Sequence, residues 1–358
     1  MTVHNSSDCE IVSRSNEPLA NSQLKIATFN LFNYLEPPFA YYDFERIYSA
    51  EQWSKKQRWI ADYLNEFTPD VIGLQEVFSP ESLRELVLKA GYQYFAVVDQ
   101  AEVIDDFICR SPVVAIASRY PIKGVEAVQA DCELAMSLGL QAGFSFSRKV
   151  LRATLDLPHI GDCDCYVVHF KSKRPMLEFA DNKALSAEKN IIEKLKAQVA
   201  GGWGATIQRG SEAALLLVAM ISRREKTGLP MILMGDFNNT LADGILTHLI
   251  TDSLRFVSKY DSAAFLANYL LKDAWDLYQE TDNDTQQLPR KPTHYFGESS
   301  SVLDYILLSN EFNARCQSSI FEVSEYNTYD RHLINPIFER DGESTDHGIV
   351  HITLRLRT

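Results

Sequence analysis

Apolar residues along the chain recur with two periods, and the alternation between them sets out an architecture. "LKIATFN" (24–30) and "PDVIGLQEV" (69–77) are short and almost continuously apolar, as strands buried on both faces are. Between them "EQWSKKQRWIADYLNEF" places Ile60, Tyr63, Leu64 and Phe67 at helical spacing on one face. Ser79 is expected to cap a helix that starts at Pro80 and stops at Gly91. From Tyr92 to Phe170 the texture is β, with "YQYFAVV", "SPVVAIAS", "KGVEAVQ", "RKVLRATLDL" and "CYVVHF" reading as strands between turns. A helical region from Ala180 to Arg224 is interrupted by "GGWG" at 201–204, which predicts two helices with a break. "PMILMGDFNNT" and "SVLDYILLS" follow as strands. The last, "GIVHITLRLR", sends Val350, Ile352, Leu354 and Leu356 one way and His351, Thr353, Arg355 and Arg357 the other. Two β-rich halves, each with helices and with no linker between them, predict two sheets packed face to face inside helical layers.

Bulk composition narrows the class. The 358 residues are 46% hydrophobic and 23% charged, a globular balance long enough to bury a core without staples. No apolar run approaches the roughly 20 residues that cross a bilayer. Residues 1–23 are polar, without an apolar segment typical of a secretory signal, and read as a disordered lead-in to one domain over 24–358. With scattered cysteines this points to a reducing, cytoplasmic setting. Only Cys163 and Cys165 are close-set, on one face of a strand; no matching Cys or His pair completes a zinc site, so free thiols are the expectation. A net charge of −13 excludes a passive nucleic-acid coat protein, but not an enzyme with a small cationic patch beside an acidic, metal-filled site.

The strand ends carry the chemistry. "TFN" ends in Asn30 and "LQE" in Glu76. "VVHFKSKR" holds His169 with Lys171, Ser172, Lys173 and Arg174, and "GDFN" offers Asp236 and Asn238. Asp304 interrupts an apolar strand, and "STDH" sets Asp346 and His347 before the last one. Singly, each has an ordinary role: Asn30 and Glu76 as turn residues, His169 as a core histidine, Asp346 and His347 as loop. Asp304 resists that reading, since an unpartnered buried carboxylate is costly. Together they suit phosphoester hydrolysis, where the phosphate charge must be neutralised and a water activated. Glu76, Asp346 and Asn30 are oxygen ligands for Mg²⁺ (or Mn²⁺). Asp236 is the natural general base, and Asn238 steers water or phosphate. Asp304 would orient and charge His347, and His169 would donate to a phosphoryl oxygen. The cations 171–174 form an electropositive rim for substrate, with Arg148, Lys149 and Arg152 as further candidates.

In this order the blocks "TFN", "LQE", "VVHFKS", "GDFN", "LDYILLS" and "STDH" resemble the endonuclease/exonuclease/phosphatase superfamily with its DNase I-like fold, from about Leu24 to Arg357. The resemblance implies a four-layered α/β-sandwich and metal-dependent phosphoester cleavage. It matches Asn30, Glu76 and Asp346 to the metal site, His169 and His347 to the family's two histidines, Asp304 to the carboxylate behind the second, and Asp236 and Asn238 to the remaining catalytic positions. The "HFKSKR" form is similar to bacterial nuclease-type members, implying DNA or RNA as substrate. A small-molecule or lipid phosphoester is the alternative, and a non-catalytic binding protein on the same fold is a third reading. No protein partner is specified.

Overall fold

The computed structural model describes residues 22–104, 106–250, 263–281, 289–317 and 319–357. The expected lead-in falls outside these residues as far as residue 21, and Gln23 already belongs to the first strand.

Twelve strands build two six-stranded sheets. In chain order they are β1 (Gln23–Tyr34), β2 (Val71–Val77), β3 (Tyr94–Val97), β4 (Val113–Ser118), β5 (Ile122–Ala127) and β6 (Leu151–Leu157). Then come β7 (Gly161–His169), β8 (Met231–Asp236), β9 (Lys272–Asp273), β10 (Asp304–Leu308), β11 (Phe321–Tyr329) and β12 (Ile349–Leu356). The first sheet runs β11-β12-β1-β2-β4-β3 and the second β9-β10-β8-β7-β6-β5. Each has a single parallel pair at its centre, β1 with β2 and β7 with β8, and every other pairing is antiparallel.

The sheets pack face to face. Ile26, Val71, Ile116 and the predicted row Val350, Ile352 and Leu354 meet Leu155, Val167, Ile232, Met234 and Ile306 in one buried cluster. Cys163 and Cys165 do share a strand face, and it is this apolar interlayer; burial holds the Cys163 thiol well above its usual range, so they serve as small hydrophobes.

Helices cover the outer faces. α1 (Ala50–Phe67) begins with a capping box in which Ser49 and Gln52 each satisfy the other's backbone N–H. Its Trp59, Ile60, Tyr63 and Leu64 pack on Phe29, Ile72 and Leu74 of the first sheet, beside α2 (Pro80–Lys89). Ser79 precedes α2 as expected but does not cap it with its side chain; its hydroxyl accepts from the Glu36 N–H instead. The second sheet is covered by α3 (Ala187–Thr227), whose Ala213, Leu216 and Met220 pack on Tyr166, Val168 and Leu233. Helix, sheet, sheet and helix make the four-layered α/β-sandwich.

The break expected at "GGWG" is absent: α3 runs unbroken for 41 residues. Gly201 has a packing role instead. A Cβ on Gly201 would lie 2.6 Å from the Leu177 backbone nitrogen, and the Met176 N–H donates to the Gly201 carbonyl at 3.1 Å. Close approach of the 175–177 segment compensates a propensity cost of about 1 kcal/mol per glycine. "RKVLRATLDL" also contracts: its strand starts at Leu151, leaving Arg148 and Lys149 in the preceding loop.

Candidate active site

The topology brings the candidate residues to one end of the sandwich. The parallel strands β1, β2, β7 and β8 all finish there, and the antiparallel neighbours β12 and β10 start there. Asp304 pairs in register with Asp236 on β8, and Asp236 with His169 on β7. Gly235 makes the close approach possible: its φ is +148°, and a Cβ would sit 2.0 Å from the Val168 carbonyl oxygen. The apolar strand runs into "GDFN" because only glycine lets Asp236 be set down against His169.

On the first sheet the β1–β2 register shifts beyond Asn30 and Gln75, and Glu76 takes a left-handed φ of 57°. This bulge turns the Glu76 carboxylate toward β1, where it accepts from the Asn33 N–H at 2.9 Å. Asn30 bridges the sheets: its Nδ2 donates to Asp236 Oδ2 at 3.1 Å and to Glu76 Oε1 at 3.5 Å. The Thr345 hydroxyl donates to the Asn30 carbonyl at 2.6 Å and accepts from the His347 N–H, tying the "STDH" turn to β1.

Asp236 is the hub. Its Oδ2 lies 3.4 Å from His169 Nε2 and 3.9 Å from His347 Nε2, and its Oδ1 accepts from the Asn238 N–H at 2.8 Å. Asn238, at φ 53°, also donates its Nδ2 to Asp236 and to the Phe170 carbonyl. Burial pushes the Asp236 carboxyl up to about 7, and the neighbouring His347 charge pulls against that rise. His347 Nδ1 meets Asp304 Oδ2 at 2.8 Å. Burial opposes a charge on His347, but Asp304 and Asp236 on its two sides hold its pKa well above the usual histidine value. His169 goes the other way. Burial, then Arg148 and His347, press its pKa well below normal, so its ring is neutral, with Nδ1 unpartnered.

The cations divide. Half-buried Lys171 turns its Nζ back onto the Ser172 hydroxyl and the Arg174 carbonyl, ordering the loop rather than facing outward. Lys173 and Arg174 are exposed, and Arg174 lies 5.8 Å from the Tyr42 ring. Of the further candidates Arg148 reaches the site, donating to the Phe170 carbonyl, whereas Lys149 and Arg152 pair with Asp99 and Glu126 on the surface.

Three residues that sequence reasoning missed belong here. Glu212, buried on α3, accepts the Lys171 N–H at 2.7 Å and the Ser147 N–H at 2.6 Å, while Arg209 one turn earlier donates to the Lys171 carbonyl. The signal was a charged pair within the apolar half of the helix. His294, in the hairpin of His294–Phe296 with Ser299–Ser301, places its ring 5.4 Å from that of His347. "PTH" gave no signal of that proximity.

A divalent cation fits this donor set. Glu76 is raised first by burial and then by Asp346, so two carboxylates face one another with only partial compensation, which a cation relieves. Carboxylate oxygens suit a hard ion, whereas Asn30 turns its amide nitrogen to Glu76 and its Oδ1 to the Phe32 N–H, so it would ligate only with its amide reversed. His294, Asp346 and His347 also offer ligand atoms within 4.8 Å of one another, as do Asp236, Asp304 and His347. In the second group the 2.8 Å His347–Asp304 bond and the charge on His347 mark an ion-pair network.

Among the described residues no helix is long and apolar enough to cross a membrane. No curated protein matches the chain. Among solved structures, the human Nocturnin catalytic domain with bound sulfate superposes with a TM-score of 0.52 at 16% identity, covering 94% of this chain and 95% of that one. Truncated Caenorhabditis elegans TDP2 gives 0.51 at 12% identity, covering 93% and 97%. A functionally unknown conserved protein from Enterococcus faecalis V583 gives 0.50 at 16% identity, covering 93% and 100%. At such identities the likeness is one of fold. The family model for the Endonuclease/Exonuclease/phosphatase family matches residues 27–347. The chain therefore belongs to the endonuclease/exonuclease/phosphatase family, whose members generally hydrolyse phosphoester bonds and use divalent metals.

Proposed function

We propose that the protein is a Mg²⁺- or Mn²⁺-dependent phosphodiesterase whose substrate is DNA or RNA. The observation that carries the reading is the hub: one buried carboxylate, Asp236, shared by Asn30, a neutral His169 and a charged His347 that Asp304 backs. Glu76 and Asp346, with Asn30 beside them, would hold the cation, which when bound supplies positive charge against the phosphate oxygens. Asp236 takes the proton of the attacking water, and the His347 charge keeps enough of it ionised to do so. Asn238, fixed by its bond to the Phe170 carbonyl, orients that water. His347 offers its Nε2–H to charge developing on the phosphoryl group, while Asp304 fixes the tautomer through Nδ1. His169 presents a second N–H on the side it shares with Asp236. Arg148, Lys173 and Arg174 line the approach for a polyanion.

The test is hydrolysis of a chromogenic phosphodiester and of DNA and RNA oligonucleotides, with Mg²⁺ and with excess EDTA. Cleavage of the oligonucleotides that EDTA abolishes is expected; full activity of metal-stripped protein in EDTA contradicts the metal reading. Turnover of a small or lipid phosphoester much faster than of nucleic acid contradicts the substrate. With so few cations at the site, log KM for DNA should vary with log salt with a slope of only about 2 to 4 in magnitude, and Lys173→Ala should lower it by about 0.9.

A further inference from the structure

The most conspicuous surface that this chemistry leaves unused is the first third of α3. No residue of Ala187–Thr227 is buried before Gly201, yet the stretch before it is far from polar. Ile191, Ile192, Leu195, Val199 and Trp203 are 66, 46, 61, 67 and 66% exposed, and at 100° per residue they share one face. Met176 and Leu177, held against Gly201, lie on the other side of the helix and are not part of this face. These five side chains offer on the order of 600 Å² of apolar surface, at the top of the roughly 300–600 Å² of a typical monomer's largest patch and enough for the apolar part of the roughly 800 Å² that each partner of a stable pair buries.

Charge selects the occupant. The flanking side chains neutralise one another: Lys189 and Lys196 both pair with Glu193, and Lys194 pairs with Asp181. An apolar centre with an internally paired rim is the anatomy of a protein interface. It is not the excess of free lysines that draws a helix to an anionic membrane, nor the cationic track that nucleic acid requires. In a chain of net charge −13, this locally neutral face is where two like molecules approach without repulsion.

The pattern is also self-complementary. If two copies pair antiparallel with Leu195 on the two-fold axis, Ile191 of each comes level with Val199 of the other, both on the apolar face. Glu188 then falls opposite Gly202, whose surroundings are open.

We propose that this face of α3 is a homodimer interface, formed by antiparallel pairing of two copies about Leu195. The patch lies outside the catalytic hub, so the pairing is independent of the reaction assigned above.

The test is light scattering and sedimentation of the purified full chain, with Leu195→Glu and Trp203→Ala beside wild type. Wild type should scatter at twice the monomer mass. Leu195→Glu, which sets two like charges on the axis, should be monomeric with unchanged circular dichroism and unchanged phosphodiesterase turnover. Trp203→Ala should raise the dissociation constant by about 10-fold or more, as loss of a buried aromatic anchor does. A wild-type monomer at about 100 µM, far above the micromolar Kd that the weaker interfaces of this size show, overturns the proposal. So does a Leu195→Glu protein that stays dimeric, or wild-type monomer that co-sediments with phosphatidylcholine vesicles.

Discussion

The two sheets of the sandwich use one topological device and obtain different electrostatics from it. Each sets a parallel pair beside an antiparallel strand, so that two strand ends and one strand start meet at the same edge. On the first sheet the edge yields half-buried Glu76 and exposed Asp346, carboxylates that repel one another within reach of solvent. On the second it yields Asp236 and Asp304, only 1% and 0% exposed, with His347 reaching across from the first sheet to bond Asp304 and to stand 3.9 Å from Asp236. Mutually repelling carboxylates, one half-buried and one exposed, suit a cation that arrives from solution. Buried ones that share a charged imidazole suit proton transfer. Burial, more than residue type, separates the roles.

The largest expected effect lies where the halves cross. His347→Ala should lower kcat by about 10² or more, and Asp304→Asn should come close to it. If the two act as one unit, the double variant will be little worse than either single, measured as kcat at saturating metal. Multiplicative losses would mean that Asp304 does not act through His347.

The outer layers differ as well, and this gives a smaller effect. On the first sheet α1 reaches the "STDH" turn with a cation, Lys56 Nζ donating to the Ser344 carbonyl at 3.1 Å, whereas α3 on the second grips the 171–174 loop with an anion, Glu212. Glu212→Ala should raise KM by about 10-fold with little change in kcat, since one to two buried hydrogen bonds of roughly 1 kcal/mol each are lost. Glu212→Gln, keeping one acceptor, should recover part of it. An equal fall in kcat for both would place Glu212 in the chemistry itself.

Smallest is a stability effect of two histidines in the first half. Burial depresses His332 and His351, on the aromatic side of the first sheet, to about 4. The unfolded chain binds these protons below about 6.5 and the folded chain only below about 4, so stability is lost as pH falls through that window. Tm measured from pH 7 to pH 4 should drop, and His351→Leu should shrink the drop. An unchanged pH slope in that variant would show that His351 does not contribute.

Much of this was legible in the chain because buried strands have a strong local signature. "VIGLQEV" and "ILMGD" read as core strands, and the hub residues stand at their ends, where composition turns abruptly from apolar to acid and amide. What stayed hidden depends on partners distant in sequence. Gly201 reads as a helix break until the backbone of Leu177 is set against it. Glu212 and Arg209 stand out as a charged pair beside an apolar run, but what they hold is decided only when the loop at Lys171 folds onto them. His294 comes beside His347 only through a hairpin stacked at the sandwich edge, and Arg148 joins the site only because its strand starts three residues later than the pattern suggests.

The division of labour between the halves is tested most directly by kcat as a function of Mg²⁺ concentration for Asp236→Asn and Glu76→Gln. Asp236→Asn should lose about 10² or more in kcat, a loss that no Mg²⁺ concentration restores. Glu76→Gln should require about 10-fold more Mg²⁺ and then approach wild-type turnover, as loss of one charged ligand implies. Rescue of Asp236→Asn by excess metal, or a Glu76→Gln defect that metal leaves untouched, would contradict the assignment of cation binding to one sheet and proton transfer to the other.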